Sequence, residues 1–599
     1  MGINMAEENP FKIKQITLTH FEGINSKVAD HISKTEELSH GENVRSLKIG
    51  YLEKRKGGKL LGNTLSSPSN YGLYYFNNDN SNGLFRITDV SGTVSIYYLN
   101  SSNEWTALSG EGTGLSAAET DAVKANGKLF IVNGVDDNRY IESDGISVTT
   151  SSDSTGNLYN SPIANKVSYF KDRLYLADYY NNSTRIPTGV MRSSFPLGIA
   201  ALLSNDYENP GDNEEIKVSD TKYLYVPDTL EVYRGGKKVA TINIDEKGQD
   251  YIKLNGAPTF ESGYSNLYAV DELWPEGTYT GERIFRWATN PNEGIEGKRY
   301  DTFKLTGAGG DPVTMFETIG GSLLIANKDN MAIWNGSHLK TMDFDIGCTS
   351  SKGYIKAIGS LFFIHYTGIY MMGEKAPKLI SSKVDEYIEG ATKDGLENAT
   401  MGREKKSVFC HIGDVTLYKD DNSVDKELKD VVLEYNIQQE NWFVHTNIPA
   451  EYMSVDKGSV TPDKLNYTDK EDGHVYTAFS SLVDREGVSN EEIPCNLTTS
   501  SILLADSFDY ISYPKEIIAE IKSGNNIKCF ISMDDEEFKP IGGTLRKGCN
   551  ILGIGEENNE YLRGRKIKIS LREMSGHAMK VSQIGITYYE SGERELHST

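Results

Sequence analysis

The sequence predicts an all-β protein, and three observations support this. Its 35 tyrosines and 20 phenylalanines, set among 57 glycines, are typical of aromatic strands separated by tight turns. A hairpin of two short apolar strands around a polar turn recurs along the chain. The 599 residues also exceed the roughly 250 to 300 at which one hydrophobic core stops growing, so we expect several domains or one large repeat.

The recurring hairpin is the element that organises the chain. Its copies are Val123–Val132, Val167–Ala177, Met315–Ala326, Ile355–Ile364 and a fifth that pairs 405–410 with 416–418. Most neighbouring copies are about 40 to 50 residues apart, which is the length of a four-stranded propeller blade. With an earlier blade at 70–108 and a closing element at 475–483, the sequence predicts a β-propeller of about six blades.

Two further regions depart from this spacing. The regular pattern breaks over 195–312, which we predict to be an inserted β domain, and after residue 500 longer strands predict a C-terminal β-sandwich. The predicted domains are an N-terminal extended arm over 1–60, propeller blades over 61–194, the inserted domain over 195–312, further blades over 313–499 and the sandwich over 500–599.

The net charge of -23 bears on possible partners. Affinity for a phosphate backbone comes mainly from lysine and arginine, so the charge argues against a surface that grips nucleic acid. An acidic channel through which DNA slides is still compatible with it. One basic cluster, formed by Lys48, Lys54, Arg55, Lys56 and Lys59, could dock an acidic partner, touch DNA or be a solvated loop.

Signals for catalysis, cofactors or a membrane span are missing from the sequence. The ten histidines are scattered without an H-E-x-x-H pattern, and the five cysteines have no C-x-x-C spacing. No run of about 18 apolar residues occurs, and the N-terminus lacks the features of a signal peptide. We therefore predict no enzyme activity, no cofactor, no metal and no membrane span, in a protein made in the cytoplasm.

The most informative motif is a set of three short pieces near the N-terminus. They are Phe21-Glu22-Gly23-Ile24-Asn25, Glu42-Asn43-Val44 and the segment from Gly50 to Gly57, which contains Leu52 and Arg55. In this order they resemble the leader of phage head-to-tail and tail nozzle proteins, of the tail tubular or DNA-stabilisation type, from short-tailed phages. Those proteins form β-propeller rings below the portal.

The resemblance implies a structural virion protein of the tail, made in the host cytoplasm. It implies a homo-oligomer, a hexameric ring below the portal and adaptor, with DNA passing through without sequence-specific binding. The leader is then the candidate assembly arm, with Phe21, Gly23, Asn25, Asn43, Gly50, Leu52, Arg55 and Gly57 as its site residues. Deletion of residues 1–57 is expected to leave a folded monomer that does not join the tail.

Two other classes of function are open. A carbohydrate-binding or glycan-acting β-propeller, such as a receptor-binding tail protein, is the main alternative. An intracellular propeller scaffold is the third. A glycan screen distinguishes the former from a nozzle protein, because a structural ring has no reason to bind or hydrolyse a sugar.

Overall fold

The computed structural model describes residues 11–26, 34–76, 83–152, 158, 161–171, 173–181, 184–185, 190–193, 201–203, 215–217, 228–234, 237–248, 251–255, 267–271, 302–304, 312–335, 339–342, 345–373, 376–419, 421, 423–456, 464–504, 511–554, 562–574 and 576–591. The chain divides into two compact units. Unit 1 comprises residues 1–75, 102–104 and 348–599, and unit 2 comprises residues 76–101 and 105–347.

Nearly all of the regular structure is β-strand. The N-terminal strands of unit 1 are β1 (Phe11–Leu18), β2 (Leu38–Glu42), β3 (Val44–Arg45), β4 (Leu52–Lys54), β5 (Gly57–Leu60) and β6 (Ser69–Tyr75). The strands of unit 2 are β7 (Leu84–Val90), β8 (Thr93–Leu99), β9 (Trp105–Ala107), β10 (Thr113–Leu115), β11 (Asp121–Ala125), β12 (Lys128–Val132), β13 (Arg139–Ile141), β14 (Val148–Thr150), β15 (Ala164–Phe170), β16 (Arg173–Asn181), β17 (Thr184–Arg185), β18 (Val190–Ser193), β19 (Ala201–Leu203), β20 (Glu215–Lys217), β21 (Asp228–Arg234), β22 (Lys237–Lys247), β23 (Tyr251–Asn255), β24 (Leu267–Asp271), β25 (Thr302–Lys304), β26 (Met315–Ile319), β27 (Ser322–Ala326), β28 (Met331–Trp334) and β29 (Leu339–Thr341).

Unit 1 resumes after unit 2. Its later strands are β30 (Tyr354–Ala357), β31 (Ser360–His365), β32 (Gly368–Met372), β33 (Lys378–Leu379), β34 (Thr400–Glu404), β35 (Ser407–Tyr418), β36 (Val424–Asn436), β37 (Asn441–His445), β38 (Ala450–Asp456), β39 (Lys464–Asp469), β40 (Val475–Ser481), β41 (Cys495–Thr499), β42 (Ile502–Leu503), β43 (Ile511–Ser523), β44 (Ile527–Met533), β45 (Lys539–Leu545), β46 (Gly548–Gly553), β47 (Lys566–Glu573) and β48 (Lys580–Ser591). The helices are short: α1 (Asp385–Glu389), α2 (Lys393–Glu397) and two 3₁₀ turns, Gly110–Gly112 and Ser381–Val384.

Four-stranded antiparallel sheets recur in unit 2. Strands β11 to β14 form one in chain order, β26 to β29 form another, β15, β16, β18 and β25 form a third, and β7 to β10 belong to a fourth. The turn between β11 and β12 has positive φ at Asn126 (+47°) and Gly127 (+72°), and the turn between β26 and β27 has it at Gly320 and Gly321. Two successive positive φ values are those of a type I′ turn, whose twist matches that of paired strands. The sequence therefore sets these hairpins locally.

A separate six-stranded sheet in unit 2 has the order β19-β24-β21-β22-β23-β20. Its strands fall between residues 201 and 271, inside the range 195–312 for which we predict an inserted β domain. Strands β21 to β23 follow one another as an antiparallel meander. This sheet accounts for the break in the hairpin spacing.

Unit 1 contains three more sheets of the four-stranded kind. Strands β30 to β33 form the first and β34 to β37 the second, both in chain order. The third consists of β38, β39 and β40, and its fourth strand is β5 from the N-terminal part of the chain. An N-terminal strand thus completes the last sheet of the series.

The C-terminal strands of unit 1 form a sandwich of two sheets. One contains β3, β4, β48, β43 and β46, with β1 paired to β48, and the other contains β41, β47, β44 and β45. Apolar residues of both sheets, such as Ile517, Ile586, Ile531 and Leu571, belong to one buried core. Alternation of inward apolar and outward polar residues along β43 and β47 is what two packed sheets require.

The second sheet of the sandwich is continuous with the sheet of β34 to β37. Strand β2 lies between them, parallel to β37 through the pair Glu42 and Val444 and antiparallel to β41. The leader strand therefore joins a blade-like sheet to the sandwich inside unit 1.

The prediction of an all-β chain built from propeller blades is confirmed, and four of the five predicted hairpins occur as predicted. The fifth is wrong, because residues 407–418 form one strand, β35, which pairs with β34 and β36. The register shifts at Gly413, so this glycine marks a bulge and the chain does not reverse there. The described residues hold seven sheets of the blade kind, four in unit 2 and three in unit 1, against the predicted six or so.

Candidate functional site

The leader residues singled out by the sequence lie inside unit 1. We use the name leader for the described residues 21–26 and 34–57. Gly50 is partly exposed and the other seven site residues are buried, namely Phe21, Gly23, Asn25, Asn43, Leu52, Arg55 and Gly57. The prediction of an extended arm over 1–60 is therefore corrected for its described part, which pairs with strands of the same unit because its apolar and ionic groups have partners there.

The first piece of the leader is fixed between two strands of unit 1. The Ile24 amide donates to the Trp442 carbonyl at 2.9 Å, and the Leu38 amide donates to the Gly23 carbonyl at 2.7 Å. Gly23 has φ +88°, and a Cβ at this position would lie 2.7 Å from the Trp442 carbonyl oxygen. Glycine is therefore required here for both its backbone angle and its lack of a side chain.

In the second piece of the leader, the Asn43 side chain makes four hydrogen bonds. It is fully buried with φ +58°, a left-handed conformation that asparagine adopts more readily than most residues. Its Nδ2 donates to the Pro494 carbonyl at 2.8 Å and to Thr446 Oγ1 at 3.0 Å. Its Oδ1 accepts from Arg55 Nε at 2.7 Å and from the Thr446 amide at 3.0 Å. One side chain thus joins the leader to two segments far along the chain.

Arg55 belongs to the third piece and forms a buried, bidentate ion pair with Asp484. Its two terminal nitrogens donate to the two carboxylate oxygens at 2.7 and 2.5 Å, and one also donates to the Thr446 carbonyl at 2.8 Å. The side chains of Arg55 and Asp484 are only 1% and 5% exposed. Planar guanidinium matches this fork geometry, which lysine cannot reproduce.

Arg45 makes a second buried ionic contact, with the sheet of β34 to β37. Its guanidinium lies 2.8 Å from Glu434 Oε1 and 3.3 Å from Glu404 Oε2. Burial alone would raise the pKa of Glu434, but the charge of Arg45 and a hydrogen bond from His445 outweigh it and lower that pKa to about 2. Burial lowers the pKa of His445, so the neutral ring donates from Nε2 to Glu434 over 2.8 Å.

Lys54 forms an ion pair with a residue of the C-terminal sandwich. Its ammonium lies 2.5 Å from Glu573 Oε2 at the end of β47, and both side chains are nearly inaccessible, at 3% and 0%. The three buried cations of the leader thus pair with carboxylates in three places, which are the β34–β37 sheet, the segment after β40 and the sandwich. Breaking any one of these pairs leaves a buried charge without its partner.

The structure buries two cations of the basic cluster predicted from the sequence and leaves the other three exposed. Lys54 and Arg55 are internal and already paired, so they cannot dock a partner or touch DNA. Lys48, Lys56 and Lys59 are exposed, and Lys59 lies 3.6 Å from Glu486. Only three of the five cations are therefore available at the surface.

The carboxylates that hold the leader were not found by sequence reasoning. Asp484, Glu434 and Glu573 lie 429, 389 and 519 residues from their leader partners. No spacing signal links residues so far apart, and each is one of 85 acidic residues. The one signal in the sequence for these carboxylates is the leader cations, because a lysine or arginine that becomes buried requires an oppositely charged partner.

The contacts of the leader are structural in kind. The buried cations Arg45, Lys54 and Arg55 are each paired with a carboxylate in the interior. Among the described residues no group of three or more His, Cys, Asp or Glu side chains is arranged to hold a metal ion. Within the same part of the chain, no helix combines the length and apolarity needed to cross a membrane.

Beside the leader lies a cavity of about 340 Å³. We call it the leader pocket. Its walls come from the leader, from residues 404–405 and 479–482, and from residues 576–580 near the start of β48, and they include Arg45, Leu47, Lys56, Lys405, Phe479 and Leu482. It is bounded by the same three parts of unit 1 that the leader cations join.

Comparison with known proteins gives no family for the chain. No protein-family model matches it, and no curated protein matches it. Similar solved structures include the computationally designed Ika8 protein (8% identity, 77% of this chain and 98% of that one, TM-score 0.27) and the AfRom2 CNH domain (7%, 70% and 98%, 0.28). An exo-β-1,3-galactanase from Phanerochaete chrysosporium with galactose covers 80% of this chain and 98% of its own at 9% identity and a TM-score of 0.19. At such TM-scores these similarities carry no argument about activity or partners.

Proposed function

We propose that the protein is a structural component of a phage tail, one subunit of a nozzle ring below the portal and adaptor that retains DNA and lets it pass. The leader pattern carries this proposal. Seven of its eight site residues are buried, and Asn43 and Arg55 make contacts that span more than 380 residues of sequence. The resemblance to nozzle leaders therefore rests on residues that the fold of unit 1 needs.

The charge of the chain supports the same proposal. With 85 acidic and 62 basic residues the protein carries a net negative charge, which disfavours tight binding of a polyanion and suits a channel that must not hold DNA. Two of the five clustered cations are also withdrawn into the interior. A protein whose role is to bind DNA tightly would keep such cations exposed.

Imaging of the purified full-length protein tests the proposal. We expect rings with a central channel in negative-stain images, alone or after addition to a portal and adaptor complex, and a mass in solution that is a multiple of 66.5 kDa. A protein that stays monomeric at all concentrations and does not join the portal and adaptor complex contradicts it. A clear positive on a glycan array or in a hydrolysis screen, together with absent rings, favours the carbohydrate alternative.

A further inference from the structure

The leader packs in unit 1 on strands that come much later in the chain. Strands β2, β4 and β5 pair with β37, β41, β48 and β40, all of which begin at residue 441 or later. We call these four strands, with the Asp484, Glu434 and Glu573 carboxylates, the leader slot. The slot is the same in every copy of the chain, so the leader of a second copy fits it with the same hydrogen bonds and ion pairs.

The order of synthesis separates the leader from its slot. Arg55 and its partner Asp484 are 429 residues apart, and Lys54 and Glu573 are 519 residues apart. At a synthesis rate of about 5–20 residues per second, the leader exists for about 20–100 s before its slot is complete. During that time, copies made side by side hold unpaired leaders and incomplete slots together, so either slot is open to either leader.

The segment that ties the leader to the rest of unit 1 is short and strained. We call residues 61–68, between β5 and β6, the hinge. Within it Ser67 has φ +44°, although Pro68 follows. A non-glycine residue rarely adopts a positive φ, and a following proline favours an extended conformation with φ near about −120°. An extended hinge relieves this strain, and the hinge extends when the leader leaves its own slot.

The far end of the hinge is held tightly against unit 1. Gly473 has φ +70°, and a Cβ at this position would lie 1.9 Å from the Pro68 carbonyl oxygen. Asn70 Nδ2 donates to the Gly473 carbonyl at 3.0 Å, and β6 packs against β38. When extended, the eight residues of the hinge span up to about 26–29 Å from this fixed end. A leader released from its own slot therefore stays attached and reaches about that far into a neighbouring copy.

We propose that copies of this chain exchange leaders, so that the leader of one copy fills the leader slot of the next. The occupant follows from the structure, because the slot holds a leader of this same sequence through three buried ion pairs. The contacts are identical in the closed and the exchanged forms, so the hinge decides between them, and a short strained hinge favours exchange. Exchange passed from copy to copy closes a ring, and in this respect the inference rests on the proposed function.

A disulfide between the leader and its slot tests whether the two belong to one chain. Glu53 of β4 and Lys580 of β48 are Cα partners on antiparallel strands, and their side chains are partly exposed. Partners of this kind are about 4.5–5.5 Å apart, which suits a disulfide. The variants Glu53→Cys and Lys580→Cys are made in the full-length protein with Cys549→Ser, because the other four cysteines are buried.

Oxidation of two preparations, followed by denaturing gels without reductant, gives the answer. In the double variant we expect disulfide-linked multiples of 66.5 kDa, since each link joins two chains. Co-expressed copies that carry one of the two cysteines each, with one copy tagged, should form a tagged-to-untagged dimer. Either single variant expressed alone is the control and should stay a monomer on the gel.

A second measurement depends on the hinge and needs no disulfide. Ser67→Gly removes the strain of a positive φ, because glycine adopts it freely, and so favours the closed form. Ser66→Gly is the matched control, since Ser66 is an exposed neighbour without a positive φ. In sedimentation velocity, the midpoint of self-association should lie about fivefold or more higher in concentration for Ser67→Gly, and within about twofold of wild type for Ser66→Gly.

The outcomes separate this inference from the proposed function. Rings whose double variant links only within single chains overturn the exchange and leave the proposed function standing. Equal self-association of Ser67→Gly and Ser66→Gly overturns the exchange as well, also where the introduced cysteines stay reduced. Linked chains without rings support the exchange and contradict the nozzle role. A protein that forms neither rings nor linked chains overturns both.

Discussion

Replacement of Arg55 by alanine tests the buried network of the leader. The change removes two hydrogen bonds to Asp484, one to Asn43 and one to the Thr446 carbonyl, and leaves the Asp484 carboxylate buried at 5% exposure without its cation. Breaking a buried ion pair by removing one partner costs about 3–5 kcal/mol. We expect a loss of stability of that size in unit 1.

The expected shift in melting temperature follows from the size of the unit. Unit 1 has about 330 residues, and an unfolding entropy of about 2.1 cal/mol/K per residue gives about 0.7 kcal/mol/K. A loss of about 3–5 kcal/mol then lowers the melting temperature of unit 1 by about 4–7 °C. The two compact units need not unfold together, so calorimetry should be combined with hydrogen exchange of the amides in β5 and β40.

Two further variants make the measurement specific. Lys59→Ala removes a neighbouring but exposed cation, and we expect its effect to stay within about 0.5 kcal/mol. The double variant Arg55→Met with Asp484→Leu removes both charges and should recover much of the stability that Arg55→Ala loses. The reasoning is refuted if Arg55→Ala melts within about 1 °C of the wild type. It is also refuted if the double variant loses as much stability as the sum of the losses of its two single variants, Arg55→Met and Asp484→Leu.

Three further predictions concern the same part of unit 1. Gly23→Ala should lower the stability of unit 1 at least twice as much as Gly359→Ala, as measured by thermal melting. Both glycines have positive φ, so alanine at either position carries a backbone strain of about 1–2 kcal/mol. Only at Gly23 does the new Cβ also meet a backbone oxygen. The pKa of Glu434 is lower in the folded chain, about 2, than in the unfolded chain, about 4.5. Ionised Glu434 therefore stabilises the folded state by about 3 kcal/mol above pH about 4.5, and this stabilisation is lost as the pH falls towards about 2. The stability difference between wild type and Glu434→Gln should therefore shrink from pH 7 to pH 3. Deletion of residues 1–57 should prevent unit 1 from folding, which soluble yield and calorimetry measure, because β2 lies between β37 and β41.

Each of these three has a clear contrary result. Equal losses for the two glycine variants mean that the Trp442 carbonyl does not restrict Gly23. A stability difference for Glu434→Gln that is constant with pH contradicts the ionised state of this carboxylate. A deletion variant that stays soluble with a native melting transition contradicts the internal role of the leader and restores the sequence-based expectation of a folded monomer.

Much of the local structure was predictable from the sequence. The hairpin of β11 and β12 follows from apolar runs on either side of Asn126 and Gly127, a pair that favours the type I′ turn. The C-terminal strands β43, β44, β47 and β48 contain the apolar segments that predict the sandwich. The error at Gly413 has a local cause as well, because a glycine inside a strand gives the same signal for a bulge as for a turn.

The sequence by itself determined the strands, the tight turns and the acidic charge, because each depends on neighbouring residues or on composition. The tertiary structure alone decided what the leader does. In the sequence Lys54 and Arg55 belong to a basic stretch that can equally be a solvated loop, and nothing nearby indicates that Glu573 and Asp484 pair with them. Burial of a charge depends on a partner brought close by folding, and these partners are more than 400 residues away.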